Sequence, residues 1–342
     1  MKAVVCTGTA DGGTSVVDVP DPVPAAGEVV VEVEACGLCG SDVHAVEHGQ
    51  VGEGQILGHE LSGRVVEVAR DVDAGLVGTA VAVNPIGGCG RCAACVRGLP
   101  FRCSTPNVGI TRPGAFAQYV AAPAAQLVPV PGDVPLEWVA DAEPLAVALA
   151  AVDLARVRPG DAVLVYGVGP IGLNVIVALQ LAGVERIVAA GRSPGRRAAA
   201  AAVGATDVID TREVSVREHA RAEGLSYAAV LECSAAPSAV PDAMAVLGPG
   251  GVCVVVALAP HEVPVALFPL LSEGQALVGS CAFDTHHYRA AVDHIVTGRA
   301  GTHTLVSEEV DLVSTPDALQ RLRTPGELVR ILTRPQWAAV PV

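Results

Sequence analysis

Between Cys39 and Glu60 the chain gathers a thiol, a hydroxyl, imidazoles and carboxylates, as Cys39-Gly40-Ser41-Asp42-Val43-His44 at one end and Gly58-His59-Glu60 at the other. Thiolate, imidazole and carboxylate are the ligands zinc prefers, and a hydroxyl near an imidazole is what a proton relay needs. Cysteine is also a common small core residue, and a His beside a Glu is ordinary on a surface. The surroundings decide between these readings.

A second cluster follows: Cys89, Cys92, Cys95 and Cys103, in a loop relaxed by Gly88, Gly90 and Gly98. Two-residue gaps let a turning backbone aim successive thiolates at one point, so these four converge on one tetrahedral ion. A redox CxxC pair would leave two of them unexplained. With four protein ligands the site is closed; it staples a lobe of about residues 88–104 and does no chemistry.

The elements that must carry these groups fall into two kinds. Up to about residue 135, short Val-rich segments (Val29, Val31, Val33; 63–69; 77–83; 113–120) alternate with Pro- and Gly-rich turns, which predicts a mainly β unit with little helix. A helix is expected over 145–154. From Ala162 the pattern becomes strand–helix alternation, with apolar runs at 162–166, 187–190, 208–209, 228–231, 252–257 and 278–283. This is the grammar of a doubly wound parallel sheet. Helices over 288–297 and 316–322 and a strand over 328–332 end the chain, returning to the first unit. The expected division is 1–155 with 285–342, and 156–284.

Gly167-Val-Gly169-Pro170-Ile171-Gly172 lies directly between a buried strand and a helix, where such glycines let a pyrophosphate sit on the helix N-terminus. The next strand ends Gly191-Arg192-Ser193, with Arg197 following and no Asp or Glu at the place that holds an NAD ribose. The missing acid and the arginines favour NADP(H) over NAD(H), with Gly191 leaving room and Arg192, Ser193 and Arg197 suited to a 2′-phosphate. The bland alternative is that the arginines only decorate a helix start.

Composition excludes several classes. The net charge of −14 without a basic block argues against nucleic acid and anionic membrane surfaces. Lysine occurs only at Lys2, which rules out Schiff-base and P-loop chemistry. No long unbroken apolar stretch or leader pattern is evident, so a cytoplasmic protein is expected, with its 10 cysteines as thiols or metal ligands.

Taken together, the Cys39–His44 and Gly58–Glu60 segments, the four-cysteine lobe, Glu143-Pro144-Leu145 and the Gly167–Gly172 turn resemble the zinc-dependent medium-chain dehydrogenase/reductase family, in its sorbitol, threonine and polyol dehydrogenase branch. The resemblance spans essentially the whole chain. It implies an α/β protein: a GroES-like, mainly β catalytic domain plus a Rossmann domain, with the active site between them. It implies two zinc ions per chain, one catalytic and one structural. Cys39, His59 and Glu60 match catalytic zinc ligands, with Glu143 as a ligand or a partner of the zinc water. Asp42 matches the acid that orients the ligand histidine, Ser41 and His44 the proton relay, and Arg330 an arginine contacting the cofactor pyrophosphate. The implied reaction is reversible hydride transfer between an alcohol and its ketone or aldehyde and a nicotinamide, in a homodimer or homotetramer. Two departures weaken any transfer of substrate: the 45–58 segment between His44 and His59 is shorter than is usual in the branch, and Ala150 stands where a His is common. Other readings are an NAD-using biosynthetic dehydrogenase of a polyol, sugar or amino-cyclitol, a zinc-free quinone or enoyl reductase, and a non-catalytic dinucleotide-binding protein. The last two fit poorly with the Cys39/His59/Glu60 set and the Ser41–His44 pair.

Overall fold

The computed structural model describes residues 1–8, 13–259, 261–324 and 326–337. The strands β1 (Lys2–Cys6) and β2 (Thr14–Asp18) pair antiparallel at the edge of the first unit. Its main sheet is built from β3 (Glu28–Gly37), β4 (Glu60–Val68), β5 (Ala80–Val83), β6 (Tyr119–Pro123) and β7 (Leu127–Pro129). Val29, Val31 and Val33 of β3 point into one core with Leu61, Val65, Val81, Val83 and Phe116. The expectation of β structure from these valines is met, because their branched side chains pack well on a pleated surface.

This region holds more helix than its sequence pattern predicts. The segment after β3 is α1 (Gly40–Glu47), and the cysteine lobe contains α2 (Ala93–Val96). Only Asp42 and Val43 of α1 are buried, so the helix shows no apolar stripe to read. The segment expected to be a strand over 113–120 pairs regularly only from Tyr119, with a single bridge from Ala117 to Ala3 before it.

Between the two sheets stand α3 (Leu136–Val139) and α4 (Ala142–Ala155). The second sheet comprises β8 (Ala162–Tyr166), β9 (Arg186–Gly191), β10 (Asp207–Asp210), β11 (Tyr227–Glu232), β12 (Leu247–Val255) and β13 (Ala276–Gly279). Its order is β10-β9-β8-β11-β12-β13, all parallel. The crossover helices are α5 (Pro170–Leu181), α6 (Pro194–Ala202), α7 (Val216–Ala222), α8 (Ala239–Val246) and α9 (Leu267–Ser272). The order in which strands are added reverses between β8 and β11, the switch point where ligands bind in such sheets. β13 stops at Gly279 rather than Phe283, and Ala282 turns the chain with φ 58°.

The chain then forms α10 (Thr285–Val296), β14 (Val306–Asp311), α11 (Thr315–Leu322) and β15 (Arg330–Arg334). β15 inserts beside β3, pairing Leu332 with Gly37, and β14 runs parallel to β15. The last strands thus complete the first sheet, in the order β14-β15-β3-β4-β5-β7 with β6 on β3. α10 does not join it: Tyr288, Ala291 and Val292 pack with Leu145 and Ala146 of α4, Val177 of α5 and Val139 of α3 in a core shared by both units.

Candidate active site and metal centres

Cys39 is the N-cap of α1, with extended backbone angles, and its own N–H donates to Asp42 at 3.3 Å. Ser41 donates its hydroxyl to Cys39 Sγ at 3.2 Å. His44 lies one turn beyond Ser41 on the same helix, stacked on His48 with ring centres 4.0 Å apart. No hydrogen bond joins Ser41 to His44.

His59 immediately precedes β4 and Glu60 opens it, paired with Gly37 at the end of β3. Their ligand atoms and Cys39 Sγ all lie within 4.8 Å of one another, close enough for one ion. His59 Nδ1 faces Asp42 Oδ1 at 3.3 Å, leaving Nε2 for the metal. Burial opposes a charge on His59, but Asp42 and Cys39 together outweigh it and hold the imidazole well above its ordinary range. Burial pushes the Cys39 thiol up, and the Glu60 carboxylate pushes it further. A half-buried thiol with a buried imidazole and carboxylate, all turned toward one point, fit a divalent zinc, whose charge these donors lack. Glu143, at the start of α4, stands outside the compact three-residue set. Burial raises its carboxyl to about 8, with His59 opposing and Glu60 adding to the rise.

Arg330 departs from the pyrophosphate role. It is buried, with Nη1 2.6 Å from Glu60 Oε2 and Nε 2.5 Å from Asp141 Oδ1, while Nη2 donates to Ala140 O at 3.3 Å. The two ion pairs are close but poorly aligned as hydrogen bonds. Two carboxylates around one guanidinium leave no donor facing a cofactor, so Arg330 acts on Glu60 from behind. A Cβ on Gly37 would lie 2.0 Å from Glu60 Oε2 and 2.3 Å from Arg330 Nη2, so only glycine fits there. Neither Gly37 nor Asp141 stood out in the sequence as part of the site.

In the second cluster, backbone N–H groups of Cys92, Cys95 and Thr105 point at the sulfurs of Cys89, Cys92 and Cys103 at 3.4, 3.5 and 3.5 Å. The Thr105 hydroxyl, Thr105 N–H and Cys89 N–H together hold the Cys103 thiol down to about 5. The Cys92 and Cys103 sulfurs are 3.7 Å apart, against about 3.8 Å for the edge of a tetrahedral zinc–thiolate site. All four sulfurs lie within 4.8 Å of one another, so the lobe is shaped for a closed ion.

A third group, Asp153, His286 and His287, is also compact. Asp284 N–H donates to His287 Nδ1 at 3.2 Å, which puts the ring proton on Nε2, facing Asp153 at 3.0 Å. No lone pair of His287 is left for a metal, and His287 with Asp284 caps α10.

At the switch point, Gly167 has φ 109°, and a Cβ there would strike the backbone of Cys233 and Ser234 at 2.7 Å. A Cβ on Gly172 would sit 1.8 Å from Gly167 O, while one on Gly169 meets nothing within 4 Å. The outer glycines are packing requirements and the middle one faces open space at the start of α5, as a pyrophosphate cradle requires. Pro170 begins α5 and Ile171 packs on the core. The loop after β11 is fixed by Glu232, a buried acid absent from the expected site, which accepts from Ser234 N, Ser234 Oγ and Ala235 N.

Gly191 ends β9, and its missing Cβ makes way for Val168 Cγ2, 2.2 Å from that position, rather than for a phosphate. Arg197 is committed to Asp210 at 2.8 Å and to the Arg192 carbonyl at 2.6 Å. Arg192 is exposed, and its guanidinium has no hydrogen-bond or ion-pair partner among the described residues. Ser193 caps α6.

A GroES-like sheet carrying the Cys39/His59/Glu60 set, joined to a 3-2-1-4-5-6 parallel sheet with a glycine cradle, defines the zinc-type alcohol dehydrogenases. Family models described as "Alcohol dehydrogenase GroES-like domain" and "Zinc-binding dehydrogenase" match residues 25–132 and 170–297. The chain belongs to the zinc-dependent medium-chain dehydrogenase family, in its sorbitol, threonine and polyol dehydrogenase-like branch, and is an NAD(P)-binding enzyme acting on CH–OH groups. It is 30% identical to a sorbitol dehydrogenase of Bacillus subtilis strain 168 over 98% of this chain and 97% of the relative. An L-threonine 3-dehydrogenase of Pyrococcus abyssi is 35% identical over 78% of each chain. A zinc-binding dehydrogenase from Sinorhizobium meliloti 1021 bound to NADP superposes with a TM-score of 0.89 at 30% identity, covering 98% of this chain and 99% of the other. Among the described residues no helix is long and apolar enough to cross a membrane.

Proposed function

We propose that the protein interconverts a polyfunctional alcohol and its ketone or aldehyde with NADP(H) in preference to NAD(H), using one zinc at Cys39, His59 and Glu60 and a second in the cysteine lobe. When bound, the catalytic zinc supplies Lewis acidity toward the substrate oxygen and the nicotinamide supplies the hydride chemistry. The chain's own groups position and relay. Asp42 sets the orientation of His59. Arg330 and Asp141 hold Glu60 against β3. Ser41 Oγ beside Cys39 and His44 one turn outward offer the substrate's proton a way to solvent along α1. The substrate class follows the relatives named for sorbitol and threonine, whose alcohols stand beside a second polar group.

The observation that carries the cofactor reading is Arg192, an unpartnered guanidinium at the end of a β9 that bears no carboxylate. The NADP-bound relative supports it. Steady-state kinetics with NADPH and NADH over a panel of alcohols, polyols and their carbonyls tests the proposal. The expected kcat/KM ratio favours NADPH by about tenfold or more, as a charge-assisted phosphate contact supplies. Equal efficiency with both cofactors would reduce Arg192 to surface decoration.

A further inference from the structure

The β9–α6 junction already holds an anion. Glu327 lies just ahead of β15, far from β9 in sequence, yet its Oε2 accepts from the Ser193 hydroxyl at 2.9 Å and from the Gly195 backbone N–H. It is seated closely: a Cβ on Gly195 would lie 2.3 Å from that oxygen. The segment is pinned in place by Arg196, whose Nε and Nη2 donate to Leu328 O at 3.0 and 2.6 Å. The exposed Arg192 stands next to Ser193, and its guanidinium has no partner among the described residues. A carboxylate from the return segment of the first unit thus sits on the first turn of α6, where negative charge is favoured.

We infer that Glu327 sets the discrimination between NADP(H) and NAD(H), because its carboxylate holds the Ser193 and Gly195 donors that a 2′-phosphate would take. This rests on the reading of the junction as the adenosine end of the cofactor site. A phosphate and a carboxylate compete for the same O–H and N–H groups and repel each other. A ribose 2′-hydroxyl can donate to Glu327 and leave its bonds to Ser193 and Gly195 in place. Glu327 therefore opposes the Arg192 charge: the arginine draws the phosphate in and the glutamate must give way to it. The affinity for the phosphorylated cofactor is held below what the donors alone would provide.

The adenosine halves of the two cofactors, 2′,5′-ADP and 5′-AMP, isolate this effect from zinc and turnover. Their dissociation constants are measured by calorimetry on the full chain and its Glu327→Ala and Glu327→Gln variants, with Arg192→Ala in parallel. Glu327 is exposed, so both of its variants fold. Removing the carboxylate is expected to tighten 2′,5′-ADP about fivefold, the scale of one exposed charge interaction, with 5′-AMP within about twofold. Glu327→Gln, which keeps an acceptor without the charge, falls between wild type and Ala. Unchanged 2′,5′-ADP affinity, or an equal shift for both ligands, overturns the inference. Wild-type indifference to NADPH and NADH combined with tightening in Glu327→Ala would defeat the NADP(H) preference and leave the Glu327 assignment standing.

Discussion

Gly37→Ala adds one methyl group at the most crowded point of the site. That methyl would meet Glu60 Oε2 at 2.0 Å, Arg330 Nη2 at 2.3 Å and Arg330 Cζ at 2.9 Å. The Glu60 and Arg330 side chains are each 2% exposed and cannot swing into solvent. Gly37 cannot retreat either, because it pairs with Glu60 on β4 and with Leu332 on β15. Overpacking a core costs about 1–3 kcal/mol, and pulling apart a buried ion pair costs more when one charge is left unpaired. Together these give a loss of about 2–4 kcal/mol, or a melting temperature lower by about 5–10 °C for a unit of this size. The assay is thermal unfolding followed by circular dichroism, with zinc content measured on the same samples. Gly132→Ala is the control, since a Cβ there meets nothing within 4 Å. Gly37→Ala should melt well below the control and bind less zinc at the Cys39/His59/Glu60 set. A melting point within about 2 °C of the control, with full zinc content, would refute the claim that Arg330 and Gly37 fix Glu60.

Cys39→Ser should abolish turnover while leaving nicotinamide cofactor binding intact by fluorescence titration; retained activity would remove the metal role of the Cys39/His59/Glu60 set. Elemental analysis of the purified protein should give close to two zinc ions per chain, and Cys103→Ala should lose one of them together with stability of the lobe; one zinc in the wild type would eliminate one centre. Gly169→Ala should melt within about 0.5 kcal/mol of wild type but bind the cofactor more weakly, because its Cβ points into open space, whereas Gly172→Ala should destabilise the parallel sheet through its collision with Gly167 O. Weak folding of Gly169→Ala would mean that the middle glycine serves packing rather than a pyrophosphate.

The candidate metal and relay groups were legible as clusters because their types and local spacing carry the chemistry. Cys39, Ser41, Asp42 and His44 fall within one short segment, and the four lobe cysteines within another. The parallel sheet was legible for a related reason: β8, buried over most of its length, can be written only in apolar residues. What escaped depends on contacts between distant segments. Arg330 meets Glu60 and Asp141 because β15 inserts beside β3, and nothing in Gly326-Glu-Leu-Val-Arg330 announces two carboxylates. Gly191 was expected to leave room for a phosphate, and only the fold reveals Val168 against it. Glu327 escaped in the same way, lying in a different part of the chain from the strand end it serves. α1 was missed because a helix whose main task is to present Cys39, Ser41 and His44 buries too little to show a period.

The insertion of β15 next to β3 also fixes an order of events during synthesis. The parallel sheet is complete once β13 has been made, and can close on itself while translation continues. The first sheet cannot: its neighbour to β3 is made only after the whole parallel sheet, and Arg330 comes with it. Until then Glu60 has no cation behind it, and the end of β3 beyond its pairing with β6 offers an open edge of the kind that pairs with the wrong strand. A nascent chain stalled before β14 would thus carry a finished cofactor unit tethered to an unfinished first sheet, and truncations in this region should yield dinucleotide binders that aggregate through their N-terminal half.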